Sequence, residues 1–203
     1  MEIDFSKASV GQAYNLMISA IVPRPIAWVS TQSPEGKFNL APFSYFNAVS
    51  SDPATLLFCI TRQPDGSKKD TEVNIELTRE FVVNIASESL VQAVNTTCAP
   101  YPYGVSEFEK AGVTPVASTL VKPPRVREAL ISMECKLYDS LQVGAEKNGG
   151  SIIIVGQILK MHIADEIYDG RGIDFTKLKP LSRLGGQDFG IGTKALTVPR
   201  AKI

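Results

Sequence analysis

The sequence predicts a mainly β protein, an antiparallel barrel with a few helices inserted in its loops. Short apolar, β-prone runs recur at residues 26–31, 55–60, 81–86, 131–138 and 151–163. Turn chemistry separates them, as in Ser33-Pro34-Glu35-Gly36 and Gln63-Pro64-Asp65-Gly66-Ser67. The helix-like segments are short and do not alternate one for one with the strands, as a parallel βαβ sheet would require.

Residues 1–16 are mixed in character and read as a leader strand or coil, with a short helical turn at 15–18. Residues 26–31 read as a buried strand with Trp28 in the core, the alternative for Trp28 being to stack on a ligand ring. After the 33–36 turn, Phe38, Leu40, Ala41, Phe43, Tyr45 and Phe46 make an apolar run interrupted by Asn39, Pro42 and Ser44. Pro42 has no N–H for a sheet ladder, so this run is no regular central strand. One reading is an irregular, bulged strand. The other is a segment whose free amides and small polar groups, set beside apolar surface, suit a flat heteroaromatic ligand.

Pro53 sits at the start of the 55–60 strand, where proline is tolerated. Asp70 is placed as N-cap of a helix through about Leu77, and Ser87 or Ser89 as cap of a helix that buries Leu90, Ala93 and Val94. Residues 98–104 cannot hold regular structure and expose Tyr101 and Tyr103. Ser106-Glu107-Phe108-Glu109 reads as a capping box for a brief helix that stops at Gly112. Gly156, in the middle of the longest strand, marks a bulge or a close approach. Beyond residue 163 the chain lacks periodicity, and Gly185, Gly186, Gly190 and Gly192 read as a flexible tail.

The chain has 203 residues, 44% of them hydrophobic. That suits one domain over 1–203, with a core at about 15–165 and a C-terminal extension at 166–203. Lys and Arg total 21 and so do Asp and Glu, scattered along the chain, so no nucleic-acid surface is expected. No apolar run approaches the ~20 residues of a membrane span. Residues 1–8 carry no signal pattern. Cys59, Cys98 and Cys135 are far apart and read as buried free thiols, which favours a reducing, cytoplasmic setting. His162 is the single histidine, which argues against histidine triads and multi-histidine metal sites. No metal site is expected, and no glycine pattern marks a Rossmann fold or P-loop.

The order PRPIAWVST, a turn, NLAPFSYF, then SDPATLLFCI resembles the flavin reductase-like family of FMN-binding split-barrel proteins, closest to its flavoredoxin-like members. The likeness continues through Lys69-Asp70-Thr71, Asn74-Ile75, residues 81–85, Glu107-Phe108 with Ala111-Gly112, and Glu134-Cys135, spanning residues 22–163. It implies a Greek-key split β-barrel and a homodimer with FMN at the subunit interface, where the 100–103 loop is placed to cover the partner's flavin.

FMN makes two demands. Its phosphate wants charge-assisted donors; Arg24, Ser30, Thr31, Arg62, Lys69 and Thr71 are of the right kind, and the resemblance places phosphate contacts in Ser30-Thr31 and Lys69-Asp70-Thr71. Its ring wants an apolar slot with donors. Within the run holding Leu40 and Pro42, Asn39 can offer its amide, Ala41 and Phe43 backbone N–H groups, and Ser44 a hydroxyl. Arg183 lies in a block that resembles one near the flavin in longer members. Members that use nicotinamide commonly carry a histidine just before the long strand, where this chain has Ser151.

The reading is an FMN-dependent oxidoreductase that passes hydride or electrons through bound flavin, with no side chain as essential acid or base. NADH or NADPH, another small molecule or a protein would serve as electron donor or acceptor. The alternative is a flavoredoxin-like electron carrier without nicotinamide turnover. A third is a split barrel that has lost its cofactor, against which the intact NLAPFS and KDT blocks argue.

Overall fold

The computed structural model describes residues 1–201. In chain order its elements are α1 (Val10–Ala20), β1 (Arg24–Pro25), β2 (Ala27–Gln32), β3 (Phe38–Phe43), β4 (Phe46–Ser51), β5 (Ala54–Thr61), α2 (Asp70–Thr78) and β6 (Glu80–Ile85). A 3-10 turn, Glu88–Leu90, leads into α3 (Val91–Thr96) and α4 (Glu107–Ala111), followed by β7 (Pro115–Val116), β8 (Arg125–Val126), β9 (Ile131–Val143) and β10 (Ser151–Ile163). A second such turn, Asp165–Ile167, precedes α5 (Phe175–Leu178), β11 (Leu181–Arg183) and β12 (Phe189–Ile191). Among the described residues no helix is long and apolar enough to cross a membrane.

The main sheet has seven strands in the order β3-β2-β6-β9-β10-β5-β4, each neighbouring pair antiparallel. Its two edges, β3 and β4, are joined by Ser44 and Tyr45 alone. So short a link spans at most about 10 Å, and the sheet must curl until its edges meet. The result is a mainly β, Greek-key split barrel, open along the β3/β4 seam.

The seam explains Pro42. β3 is an edge strand, regular over all six of its residues and paired to β2 from Ala27↔Phe43 to Gln32↔Phe38. Proline is tolerated where the N–H would face away from the ladder. The expected bulge in this run is absent. Irregularities fall instead in β4, at Ala48/Ser50, and in β10, at Val155/Gly156 and Ile158/Lys160. At Gly156 a Cβ would run into the Phe81 ring, so the close approach read from the sequence is that of an aromatic core residue.

Ala27, Val29, Phe43, Phe58, Phe81 and Ile154 fill the barrel, and Ile75 of α2 plugs one end. On the outer face Trp28, Leu40, Val94 and Phe108 pack under α3 and α4. β2 is thus covered on both sides, which is why its apolar run barely alternates. Trp28 is fully buried and donates from its indole to Thr97 Oγ1 at 2.9 Å.

Several local expectations are corrected. Residues 10–20 form a full helix rather than a turn at 15–18, with Ser9 as its N-cap. Its far end is held by Arg24, which donates to the carbonyls of Ile18 and Ile21. Lys69, not Asp70, is the N-cap residue of α2. Ser106 caps α4 without a side-chain hydrogen bond, so the capping box does not form, although α4 does end at Gly112 with φ 65°. Ser87 likewise precedes its 3-10 turn without a side-chain bond.

The tail folds back. β11 pairs with β1 (Arg24↔Arg183) and with β12, so Gly190 stands in a strand rather than a flexible end. Of the cysteines only Cys135 is buried; Cys59 is half-buried and Cys98 exposed.

Candidate functional site

Beside edge strand β3 lies a groove of about 250 Å³. β3 supplies Asn39, Ala41, Pro42 and Phe43, and the start of α2 supplies Lys69, Asp70 and Thr71. The chain from Thr97 to Tyr101 and Glu107 of α4 form the opposite wall. The two blocks singled out in the sequence, some thirty residues apart, therefore meet at one place.

The groove's polar groups follow from the ladder. Asn39 Nδ2 donates to Thr31 Oγ1 at 3.2 Å and to Thr71 Oγ1 at 2.9 Å. Asn74 adds a third bond, to Thr31, at 3.0 Å. Asn39 thus uses its amide hydrogens internally and has a carbonyl left to offer, while Thr71, an acceptor here, keeps its hydroxyl proton. The Leu40 amide points away from β2 and donates to Glu107 Oε2 at 2.9 Å. Alternation in an antiparallel ladder then turns the Ala41 and Phe43 amides toward β2. Those two residues line the groove as apolar wall.

Lys69 approaches from the opposite side. Its amine lies 5.9 Å from the centre of the Phe43 ring, and among the described residues it has no acidic partner within ion-pair distance. Burial pushes its pKa down. It stands at the start of a nine-residue helix whose first amides lack intrahelical acceptors. An unpaired, partly desolvated cation, a free hydroxyl proton and a helix N-terminus thus stand together, a chemistry that favours anionic groups.

The other candidate residues lie outside this groove. Ser30 is buried, donating to the Pro124 carbonyl and accepting from Asn84, and Thr31 is buried beneath Asn39. Leu40 points into the outer core. The Arg24 guanidinium binds the Ile18, Ile21 and Leu184 carbonyls, with Ser44 Oγ at 3.5 Å. Arg62 is 3% exposed and ion-paired to Glu72 at 2.8 Å. It lines a separate cavity with Tyr14, Tyr45 and the Gly149–Gly150 backbone.

Ser44 lies in a notch that shares Pro42 and Cys98 with the groove and is walled by Arg183 and Phe189. The Arg183 guanidinium sits 4.4 Å from the Phe189 ring centre, so the C-terminal hairpin brings it beside the seam. Tyr103 is exposed, but Tyr101 is half-buried and lines the groove.

Sequence reading missed Glu107, Gln63, Thr97 and Cys98 as groove residues. For Glu107 a signal existed: an acid beside Phe108, whose ring is buried, must itself lie near the core.

Fold and groove define a split barrel with a partly apolar groove that carries a cation at one end. The chain belongs to the flavin reductase-like family: the family model described as "Flavin reductase like domain" matches residues 18–178. It is similar to nitrilotriacetate monooxygenase component B from Bacillus cereus, with 35% identity, TM-score 0.93 and 98% of each chain covered. It also resembles 2-nitrobenzoate 2-nitroreductase of Pseudomonas fluorescens, at 30% identity and TM-score 0.87, covering 98% of this chain and 96% of that one. Flavoredoxin of Desulfovibrio vulgaris shares the fold at 17% identity and TM-score 0.74, over 98% and 97% of the two chains.

Proposed function

We propose that this protein is an FMN-binding oxidoreductase, one domain over 1–203, working as a cytoplasmic homodimer. The observation that carries the reading is the meeting of Asn39, Ala41, Pro42 and Phe43 with Lys69, Asp70 and Thr71 in one groove beside β3. The residues fit the group. Lys69, the Thr71 hydroxyl and the first amides of α2 would hold the phosphate. Ala41, Pro42 and Phe43 would flank the ring on its apolar side, and Ser44 with Arg183 would stand at the adjoining notch. FMN, when bound, supplies the hydride or electron chemistry. The chain's own part is to bind it, orient it and keep water from it.

NADH or NADPH is the proposed electron donor. The redox names of the component B and nitroreductase relatives support an oxidoreductase. Visible absorption of the purified protein, followed anaerobically, tests this. An oxidised-flavin band that bleaches on adding NADH or NADPH is expected. A band that persists until dithionite is added would favour the electron-carrier reading instead, and no band after reconstitution with FMN would overturn the site. Lys69→Met is expected to weaken FMN at least tenfold, the scale of one charge-assisted contact, and to leave riboflavin, which has no phosphate, nearly unchanged.

A further inference from the structure

Beside Cys98 and Tyr101, the groove holds one cation and two carboxyl groups that form no ion pair with one another. Lys69 stands at one end without an acidic partner. Glu107 of α4 and Asp70 of the first turn of α2 line the same groove. Glu107 is only 7% exposed. Among the described residues it forms no ion pair, and the one hydrogen bond it accepts from another residue, that of the Leu40 amide, goes to Oε2. Asp70 accepts one long bond from another residue, 3.4 Å, from the Gly104 amide.

A carboxylate has room for about four hydrogen bonds, and a buried charge that lacks them is costly. With only the Leu40 amide and its own amide as donors, the Glu107 carboxylate keeps acceptor capacity on the groove wall. Burial also pushes the carboxyl pKa values of both Glu107 and Asp70 up, as expected for carboxyls with too few donors.

A second anion in the groove would not satisfy Glu107. A second cation would compete with Lys69 for the ligand's anionic end. The group that satisfies a lone buried carboxylate beside a phosphate receptor is a neutral donor, and a chain of hydroxyls supplies several.

We infer that Glu107, assisted by Asp70, is the residue that recognises the hydroxylated chain of a phosphate monoester, the phosphate itself lying at Lys69 and Thr71. The inference rests on the FMN reading, in which that chain is the ribityl arm. It assigns specificity to the acidic side of the groove: the ligand is selected by its hydroxyls as well as its phosphate.

The test is a fluorescence-quenching titration of three flavins, FMN, riboflavin and lumiflavin, the last having a methyl group in place of the hydroxylated arm. Glu107→Gln keeps an oxygen for the Leu40 amide and removes the charge, and its melting temperature checks that the fold survives. E107Q is expected to weaken FMN and riboflavin about tenfold, one charge-assisted hydrogen bond, and to leave lumiflavin unchanged. Equal weakening of all three flavins, or of none, overturns the inference while the FMN reading stands. Wild-type protein that takes up none of them overturns both. If E107Q does not fold, wild-type protein must still prefer riboflavin about tenfold over a flavin with an unhydroxylated pentyl arm; equal affinity overturns the inference.

Discussion

A basic residue in a flavin-binding sequence invites assignment to the phosphate, and Arg62 shows where residue type misleads. Its guanidinium contacts both carboxylate oxygens of Glu72, at 2.8 and 2.9 Å, and donates to Gln142 at 3.1 Å. Both ion-pair partners are almost fully buried. Burial raises the Glu72 pKa and Arg62 opposes that rise, with Lys68 at 3.9 Å helping from the surface. Removing one member of such a pair strands the other. Arg62→Met is expected to cost about 3–5 kcal/mol in urea unfolding, whereas R62M with Glu72→Met should cost much less. FMN affinity should change little in the double variant. If instead R62M retained full stability and lost flavin, the residue would belong to the phosphate site. Nothing near position 62 in the sequence identifies position 72 as its partner, since that pairing depends on how α2 closes the barrel.

At the scale of elements, β9 and β10 carry a clasp that the sequence hides in a lone histidine. Glu134 is fully buried on β9, and His162 Nε2 lies 2.6 Å from its Oε1. The Thr119 and Leu120 amides donate to the same carboxylate at 2.8 and 2.6 Å, tying the loop before β8 to the sheet. Burial alone would raise this acid. The two amides and His162 outweigh it and hold the pKa at about 2, against an ordinary 4.5. Because the folded value lies below the unfolded one, the stabilisation is complete above about pH 4.5 and is lost as pH falls toward 2. It amounts to roughly 3 kcal/mol at neutral pH. Urea unfolding of the wild type and Glu134→Gln across this range should show the wild type losing its advantage between those values. Parallel curves would show that the carboxylate does not govern acid stability.

For the whole molecule, legibility followed sequence separation. β5, β6 and β10 are legible directly, because an apolar run between turns records its own burial, whereas Pro42 makes β3 look irregular because the sequence does not reveal that the strand lies at an edge. α1 and the C-terminal hairpin could not be read, since Arg24 joins them through a bond to the Leu184 carbonyl, 160 residues away. The groove was legible as two blocks, but its acidic wall was not, because Glu107 reaches β3 only once α4 packs against it. α1 also leaves an open account of its own. Val10, Tyr14, Met17 and Ile21 recur at helical spacing, each at least 40% exposed, and a stripe of that kind marks a surface meant to be covered. In the homodimer reading a second copy covers it. Light scattering should then give twice the chain mass of 22.0 kDa, and Met17→Glu, a charge set in the middle of the stripe, should shift the protein toward monomer without lowering its urea midpoint when measured at monomeric concentration. A wild-type monomer would remove the homodimer from the proposed function, and an M17E protein that stayed dimeric would move the interface away from α1. Either result bears on assembly, and the FMN titration of the Lys69 variant tests the groove separately.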